Sequence, residues 1–151
     1  MKIKRYLFLI MSSLILTSCV STKLTIKNID DSAKSPELLN SKTYKLTKTA
    51  TDKNYGYDQD YPVNIGFGNL KQREINAEKF LNALLGPNGE EITYTKDGDC
   101  CPFPTGKSEL GSGMLGVYII TWEGNSKPLT LYINIYEKSE VFIPKGLTAK
   151  K

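Results

Sequence analysis

The chain has 151 residues, of which 40% are hydrophobic, and a formal net charge of +4. This length supports one folded core of ordinary size and not two. Histidine is absent, which excludes catalytic schemes built on a Ser-His or Cys-His pair. Three of the basic residues lie within the first five positions, so the rest of the chain is nearly neutral and lacks the basic surface of a nucleic-acid-binding protein.

The first nineteen residues have the pattern of a bacterial lipoprotein signal. Basic residues come first, then an apolar run, then a cysteine box: Lys2, Lys4 and Arg5, Tyr6 to Leu16, and Leu16-Thr17-Ser18-Cys19. The apolar run of about 11 residues is shorter than the roughly 20 that a spanning helix requires, so a core strand or an uncleaved anchor is the weaker alternative. We predict a cleaved signal peptide over residues 1–18 and lipidation of Cys19. Cleavage removes three basic residues and no acidic one, which lowers the formal charge from +4 to +1.

Residues 19–42 are predicted to form a lipidated cysteine and a flexible tether, because this segment is rich in Ser, Thr, Lys, Asn and Asp. Stable membrane anchoring needs two or more acyl chains. The segment Val20-Ser21-Thr22-Lys23 has no acidic cluster of the kind that resembles surface-export signals, which favours the periplasmic face over the cell surface. The alternative that Leu24 to Ile26 form a short strand that docks on the folded body stays open.

Residues 43–151 are predicted to form a single globular α+β domain of two layers, with one main helix packed on an antiparallel sheet of five or six strands. The helix is expected to begin at the cap Asn76, with Ile75 and Phe80 as a hydrophobic staple. Its apolar positions recur at helical spacing, and Gly86 followed by Pro87 is expected to end it. Those positions are Ala77, Phe80, Leu81, Leu84 and Leu85.

Two runs of β-branched and aromatic residues, Val117 to Glu123 and Leu129 to Glu137, predict a hairpin closed by the turn Gly124 to Lys127. In the second strand, alternation places the core face on Leu129, Leu131, Ile133 and Ile135. Further strands are expected at Tyr44 to Thr49, Val63 to Phe67, Glu91 to Lys96 and Val141 to Ile143.

Cys100 and Cys101, with Pro102 and Phe103, form a candidate redox or binding turn. Adjacent Cα atoms lie about 3.8 Å apart, below the roughly 4.4 to 6.8 Å that relaxed disulfides prefer. Three states stay open: two free thiols, a strained vicinal disulfide that acts as a rigid plate or redox switch, and pairing between molecules. A zinc site would have to recruit Asp97 and Asp99, and no metal ligand is assigned.

A polar loop with three tyrosines is the second candidate site, a binding loop for sugar or peptide through amphipathic rings. Its members are Tyr55, Tyr57, Asp58, Asp60 and Tyr61. Alternate oxygen-bearing residues from Asp52 also resemble a calcium loop, but Gly56 stands fifth and Asn64 thirteenth, where such loops need glycine sixth and glutamate twelfth. An ordinary exposed loop is the simplest interpretation.

Two glycine-containing segments copy phosphate-binding motifs without their setting. Gly111 to Gly116 fits the spelling GxGxxG, but a strand follows it where a dinucleotide site needs a helix. Thr105 to Ser108 copies the end of a phosphate loop, yet Pro102 and Pro104 remove the backbone N–H groups that would hold phosphate. We therefore predict no nucleotide and no cofactor.

Without histidine, catalysis would depend on a pair of carboxylates. Five acidic residues lie on neighbouring segments, and nothing in their spacing ties two of them together, so solvated turn charges are the simpler interpretation. These residues are Glu90, Glu91, Asp97, Asp99 and Glu109. No catalytic residue is assigned.

Several segments resemble a family of small lipoproteins from flavobacteria and their relatives. They include Asp60 to Asn64, Phe80 to Gly89, the DxxCCPF-like stretch Asp97 to Phe103, Leu131 to Glu137 and Pro144 to Leu147. Members often bear the label 2-dehydro-3-deoxyphosphooctonate aldolase, so the resemblance implies that activity. Such aldolases resemble (β/α)8 barrels of about 250 residues, roughly twice the mature chain, and no catalytic residue can be carried over.

The sequence thus predicts a lipid-anchored bacterial envelope lipoprotein whose domain is a non-catalytic binding or interaction module. Its partners would be the membrane, through the lipid, and an envelope protein or glycan. The alternative is an enzyme, either the aldolase of the family label or a carboxylate-dependent glycan hydrolase. A pure spacer without a ligand is the third hypothesis.

Overall fold

The computed structural model describes residues 25–151, so the predicted signal peptide, Cys19 and the first tether residues lie outside the described range. Within it, the α+β prediction is confirmed: one helix accompanies eight strands. In chain order these are β1 Leu38–Asn40, β2 Thr43–Tyr44, β3 Val63–Asn64, α1 Leu70–Ala83, β4 Leu84–Leu85, β5 Ile92–Pro104, β6 Ser112–Trp122, β7 Leu129–Asn134 and β8 Thr148–Ala149. None of the helical structure in residues 25–151 is long and apolar enough to cross a membrane.

The central sheet has four strands in the order β3-β7-β6-β5. β5, β6 and β7 form an antiparallel meander, whereas β3 lies parallel to β7, with Val63 opposite Ile133 and Asn64 opposite Asn134. The pairs β1-β2 and β4-β8 form two small separate sheets. The predicted stretch Val141 to Ile143 contributes only an isolated bridge, between Ile143 and Thr49.

β5 is longer than the strand Glu91 to Lys96 that the sequence predicts, because it continues for 13 residues to Pro104. The prediction ended at Lys96, before Gly98 and the prolines. β5 is an edge strand, and proline is tolerated there because one side of the strand has no neighbouring strand to accept a backbone hydrogen bond. Register shifts between Lys96 and Gly98, and between Cys100 and Phe103, absorb the irregular residues.

The predicted start of the helix is wrong. Asn69 is the N-cap, and its side chain accepts a hydrogen bond from the Gln72 N–H at 3.0 Å. Asn76 is buried inside the helix and donates to the Phe67 carbonyl at 2.8 Å. Because the first turns carry polar residues and an exposed Ile75, the apolar pattern that located the helix begins only in its second half.

The predicted end of the helix is also too late. α1 ends at Ala83, and Leu84 has extended backbone angles. Leu84 and Leu85 form β4 and pair with β8, so Gly86 and Pro87 follow a strand and not a helix. The two leucines satisfied the helical spacing in sequence, but they lie in a strand, where Leu84 is buried in the core and Leu85 is only partly buried.

The core lies between α1 and one face of the central sheet. Of the predicted core face of β7, Leu131 and Ile133 are fully buried, while Leu129 and Ile135 are partly buried and pack against the same cluster. From the helix, Phe80 and Leu81 are fully buried and belong to the same cluster. The two-layer arrangement is therefore held together by helix-on-sheet packing.

Part of the segment predicted as a tether is joined to the folded body. The Lys27 N–H donates to the Asp60 carbonyl at 2.7 Å, and the Asp30 N–H donates to the Lys138 carbonyl at 2.8 Å. Inside, the Asn64 side chain donates to the Lys27 carbonyl at 3.2 Å and accepts from the Asn134 amide at 3.0 Å. The folded body thus extends back to Lys27, because buried asparagines hold this segment in place.

Candidate functional site

A cleft of about 420 Å³ lies between α1 and the β5–β6 hairpin. We call it the helix–hairpin cleft. It combines charged, aromatic and apolar side chains from the helix, both hairpin strands and the chain after β7. The lining residues are Glu74, Glu78, Lys96, Asp99, Met114, Gly116, Tyr118, Ile135 and Tyr136. Among the site residues and carboxylates that the sequence singled out, only Asp99 lines it.

A β-bulge brings Lys96 and Asp99 to the same side of the edge strand. In a regular strand, residues three apart point to opposite faces. The register shift after Lys96 leaves Lys96 opposite Tyr118 and Asp99 opposite Gly116. Lys96 Nζ lies 2.7 Å from Asp99 Oδ1, and the hydrogen bond to Asp99 raises the pKa of Lys96. The bulge thus builds one charged wall of the cleft.

The floor of the cleft requires a glycine. A Cβ on Gly116 would lie 2.9 Å from the Tyr118 ring, so the ring occupies the space that a side chain would fill. Burial raises the pKa of Tyr118, and the charges of Asp99 and Glu78 add to the increase, although Lys96 opposes it. The phenol is therefore held neutral at physiological pH.

The helical wall carries Glu74 and Glu78, which sequence analysis missed. They are four residues apart and therefore lie on one side of α1. Both are exposed, and neither forms an ion pair within residues 25–151. Like charges at this spacing destabilise a helix by about 0.2–0.5 kcal/mol. The i, i+4 spacing of the two glutamates is visible in the sequence and could have placed them on one helix face. It was missed because the predicted helix start at Asn76 leaves Glu74 outside the helix.

The cysteine turn borders this cleft. Cys100 and Cys101 are joined by a disulfide, one of the three states that the sequence left open. They lie at the second register shift of β5, and Cys101 has a left-handed φ of 60°. Phe103 is buried, with its ring edge-to-face on Tyr136 at 5.9 Å between centroids. Phe103 therefore supports a cleft residue from behind and offers little surface of its own.

The tyrosine loop is used mainly for packing. Tyr55 is fully buried, its hydroxyl accepts from the Phe142 N–H at 3.1 Å, and its ring meets Tyr61 edge-to-face. Tyr57 is half-buried and donates to the Lys145 carbonyl at 3.1 Å. Asp58 and Asp60 are joined by a hydrogen bond in a turn, from the Asp60 N–H to Asp58 Oδ1 at 2.9 Å. Tyr55 thus has no free face for a sugar or peptide.

These buried phenols predict a loss of stability in alkali. Burial raises the pKa of Tyr57 to about 12, and burial raises the pKa of Tyr55 further. Tyrosines in the unfolded chain ionise near pH 10, so above that pH the unfolded state loses protons that the folded state retains. The stability that these tyrosines contribute should be fully present below about pH 10 and be lost as the pH rises towards about 12. Urea titrations across this range test it, and Tyr57→Phe should make the decline shallower. A flat profile would contradict the burial of these rings.

The other predicted carboxylates are engaged elsewhere. Glu90 accepts from the Asn88 N–H at 2.9 Å, and hydrogen bonds from the Asn88 side chain and backbone lower its pKa. Glu91 forms an ion pair with Lys150 at 2.9 Å. Asp97 and Glu109 are exposed, Asp97 at the first bulge of β5 and Glu109 in the loop between β5 and β6. Across residues 25–151, no three His, Cys, Asp or Glu side chains come together as a metal site.

The chain matches no protein-family model, no curated protein and no solved structure.

Proposed function

We propose that this chain is a lipid-anchored bacterial envelope protein whose folded domain is a non-catalytic binding module. The helix–hairpin cleft is the observation that carries the binding role. Its volume of about 420 Å³ lies in the ordinary range for ligand pockets, roughly 300–1,000 Å³. Such pockets combine apolar and aromatic walls with a few placed polar groups, as Met114, Tyr118 and Glu78 do here.

The anchoring role rests on the sequence of the first nineteen residues. The basic start, the short apolar run and the box ending at Cys19 agree with one another, and each has a physical purpose in export and lipid attachment. The attached lipid would make the membrane the first partner, with an envelope protein or glycan as the ligand of the domain. The absence of an acidic cluster after Cys19 supports the periplasmic face.

The chemistry of the cleft supports binding over catalysis. A carboxylic acid acting as general acid needs a water-poor environment that keeps it protonated. Glu74 and Glu78 are exposed, and Asp99 forms an ion pair with Lys96 in which both side chains are about half exposed, so none of the three lies in such an environment. The aldolase of the family label would need eight helices around a barrel, whereas residues 25–151 contain one helix on a mixed sheet.

The anchor is tested on the protein extracted from its native membrane. We expect an intact mass that corresponds to a chain beginning at Cys19 and carrying at least two acyl groups. The Cys19→Ser variant should remain unprocessed and lose the acyl mass. Recovery of the wild-type chain from the cytosol with its leader intact would refute the anchor.

The binding role is tested by photo-crosslinking in intact cells. A photoreactive residue at Met114, which is 44% exposed in the cleft, should give a defined adduct with one envelope component. The matched control is Leu110, which is 88% exposed in the loop of the same hairpin and outside the cleft lining. Equal adducts at both positions would contradict a specific site. Turnover of envelope glycans that is abolished by Asp99→Asn would establish the hydrolase alternative instead.

A further inference from the structure

We propose that the helix–hairpin cleft binds a primary ammonium group on an apolar stem, as in a lysine side chain or a free alkyl amine. The inference rests on the proposed function, since it names the ligand chemistry of the same cleft. It depends on three properties of the lining: excess negative charge, aromatic rings and an apolar surface beside them.

The charges that line the cleft favour a cation. The cleft is lined by three carboxylates and one ammonium group. The carboxylates belong to Glu74, Glu78 and Asp99, and the ammonium group belongs to Lys96. Lys96 already neutralises Asp99 at 2.7 Å, so two negative charges remain on the helical wall. Clefts lined by one sign of charge focus the field and raise the local concentration of the opposite ion. An anionic ligand would be repelled by this wall.

The aromatic rings distinguish this cleft from a plain acidic surface. Tyr118 lies across Gly116 and Tyr136 closes the end near Phe103, and both rings line the same cavity as the carboxylates. A cation over a tyrosine face gains about 0.5–1 kcal/mol at exposed sites and more when desolvated. The tyrosines therefore add attraction for an ammonium group that a water-filled acidic patch would lack.

The apolar residues define what carries the charge. Met114 and Ile135 line the cleft beside the rings, and Met114 is 44% exposed. An unbranched thioether side chain adapts its shape to an alkyl stem. A bare metal ion would gain nothing from these groups, and a neutral sugar would make no use of the uncompensated charge.

Isothermal titration of the processed, detergent-extracted protein tests the inference with three probes. These are N-acetyl-lysine methylamide, pentylamine and the uncharged N-acetyl-norleucine methylamide. We expect both amines to bind and the norleucine probe to bind at least about tenfold more weakly, as for loss of a charge-assisted contact. Tighter binding of the lysine probe than of pentylamine would assign the site to peptide lysines, and the reverse would assign it to free amines.

Variants separate the charge from the fold. Glu78→Gln should weaken amine binding about tenfold, while the control Glu109→Gln, in the loop between β5 and β6, should leave it unchanged. Lys96→Met should strengthen amine binding, because Asp99 then becomes free to contact the ligand. An anion site would instead lose affinity in that variant. Unchanged circular dichroism would show that each variant is folded.

Three results would overturn the inference: equal binding of the norleucine probe, an unchanged affinity in Glu78→Gln, or no amine binding at all. If amines fail while a specific adduct still forms at Met114, the cleft is a binding site of different chemistry and the proposed function stands. If the amines do not bind and no specific adduct forms at Met114, both the inference and the proposed binding role are refuted.

Discussion

Replacing Phe80 by alanine should lower the free energy of unfolding by about 3–5 kcal/mol. The ring is fully buried and belongs to the hydrophobic core cluster that also contains Leu81, Ile120 and Leu131. Truncation removes its apolar contacts and leaves a cavity that rigid sheet neighbours fill poorly. Urea unfolding followed by circular dichroism measures the change, with the slope of the transition expected to stay constant.

Ile75→Ala is the matched control on the same helix. Ile75 is 39% exposed, so its truncation should change stability by no more than about 0.5 kcal/mol. The sequence paired Ile75 with Phe80 as a staple, and in that arrangement both truncations would be costly. A loss for Ile75→Ala close to that of Phe80→Ala would therefore support a helix start at Asn76 over the cap at Asn69.

Gly66→Ala should destabilise the protein by about 1–3 kcal/mol through a steric conflict with backbone. A Cβ at this position would lie 2.4 Å from the Tyr136 carbonyl oxygen and 2.7 Å from that of Glu137. The Gly66 N–H also donates to the Glu137 carbonyl at 2.7 Å, so the two segments cannot separate without losing that bond. Since Tyr136 lines the cleft, amine affinity should fall together with the thermal unfolding temperature.

Gly106→Ala is the control for this prediction. A Cβ on Gly106 would meet nothing within 4 Å, and its φ lies outside the left-handed region. This substitution should be neutral, or stabilising by about 0.4–1 kcal/mol through the unfolded chain. Equal destabilisation by both changes would mean that the close approach of Gly66 to the Tyr136 backbone is not the cause.

The parts of the fold that follow from local pattern were predictable. Residues 124–127 form the expected connection between β6 and β7, and alternation identified the buried faces of Leu131 and Ile133. The helix was found, but its start was misplaced, because Asn69 and Asn76 are equally good caps by residue type and the dense apolar spacing begins only after Asn76. Choosing between them requires knowing that Asn76 bonds to Phe67, a contact outside the helix.

The cleft could not be predicted, because its geometry departs from the strand period. Lys96 and Asp99 share a face only through the bulge between Lys96 and Gly98, and regular alternation would separate them. The tyrosine loop shows the converse. Tyr55 has the composition of a binding residue, but whether an amphipathic ring faces solvent or core is decided by distant partners such as Phe142.

The hydrogen bond from the Lys27 N–H to the Asp60 carbonyl limits how far the folded body can lie from Cys19. Only eight residue steps separate that bond from Cys19, and a fully extended chain of this length reaches at most about 29 Å. If Cys19 carries the lipid, the domain stays within a thin layer above the bilayer and meets its ligands by lateral diffusion. Amine-bearing molecules held at that surface would then be met at a far higher effective concentration than the same molecules free in the surrounding volume.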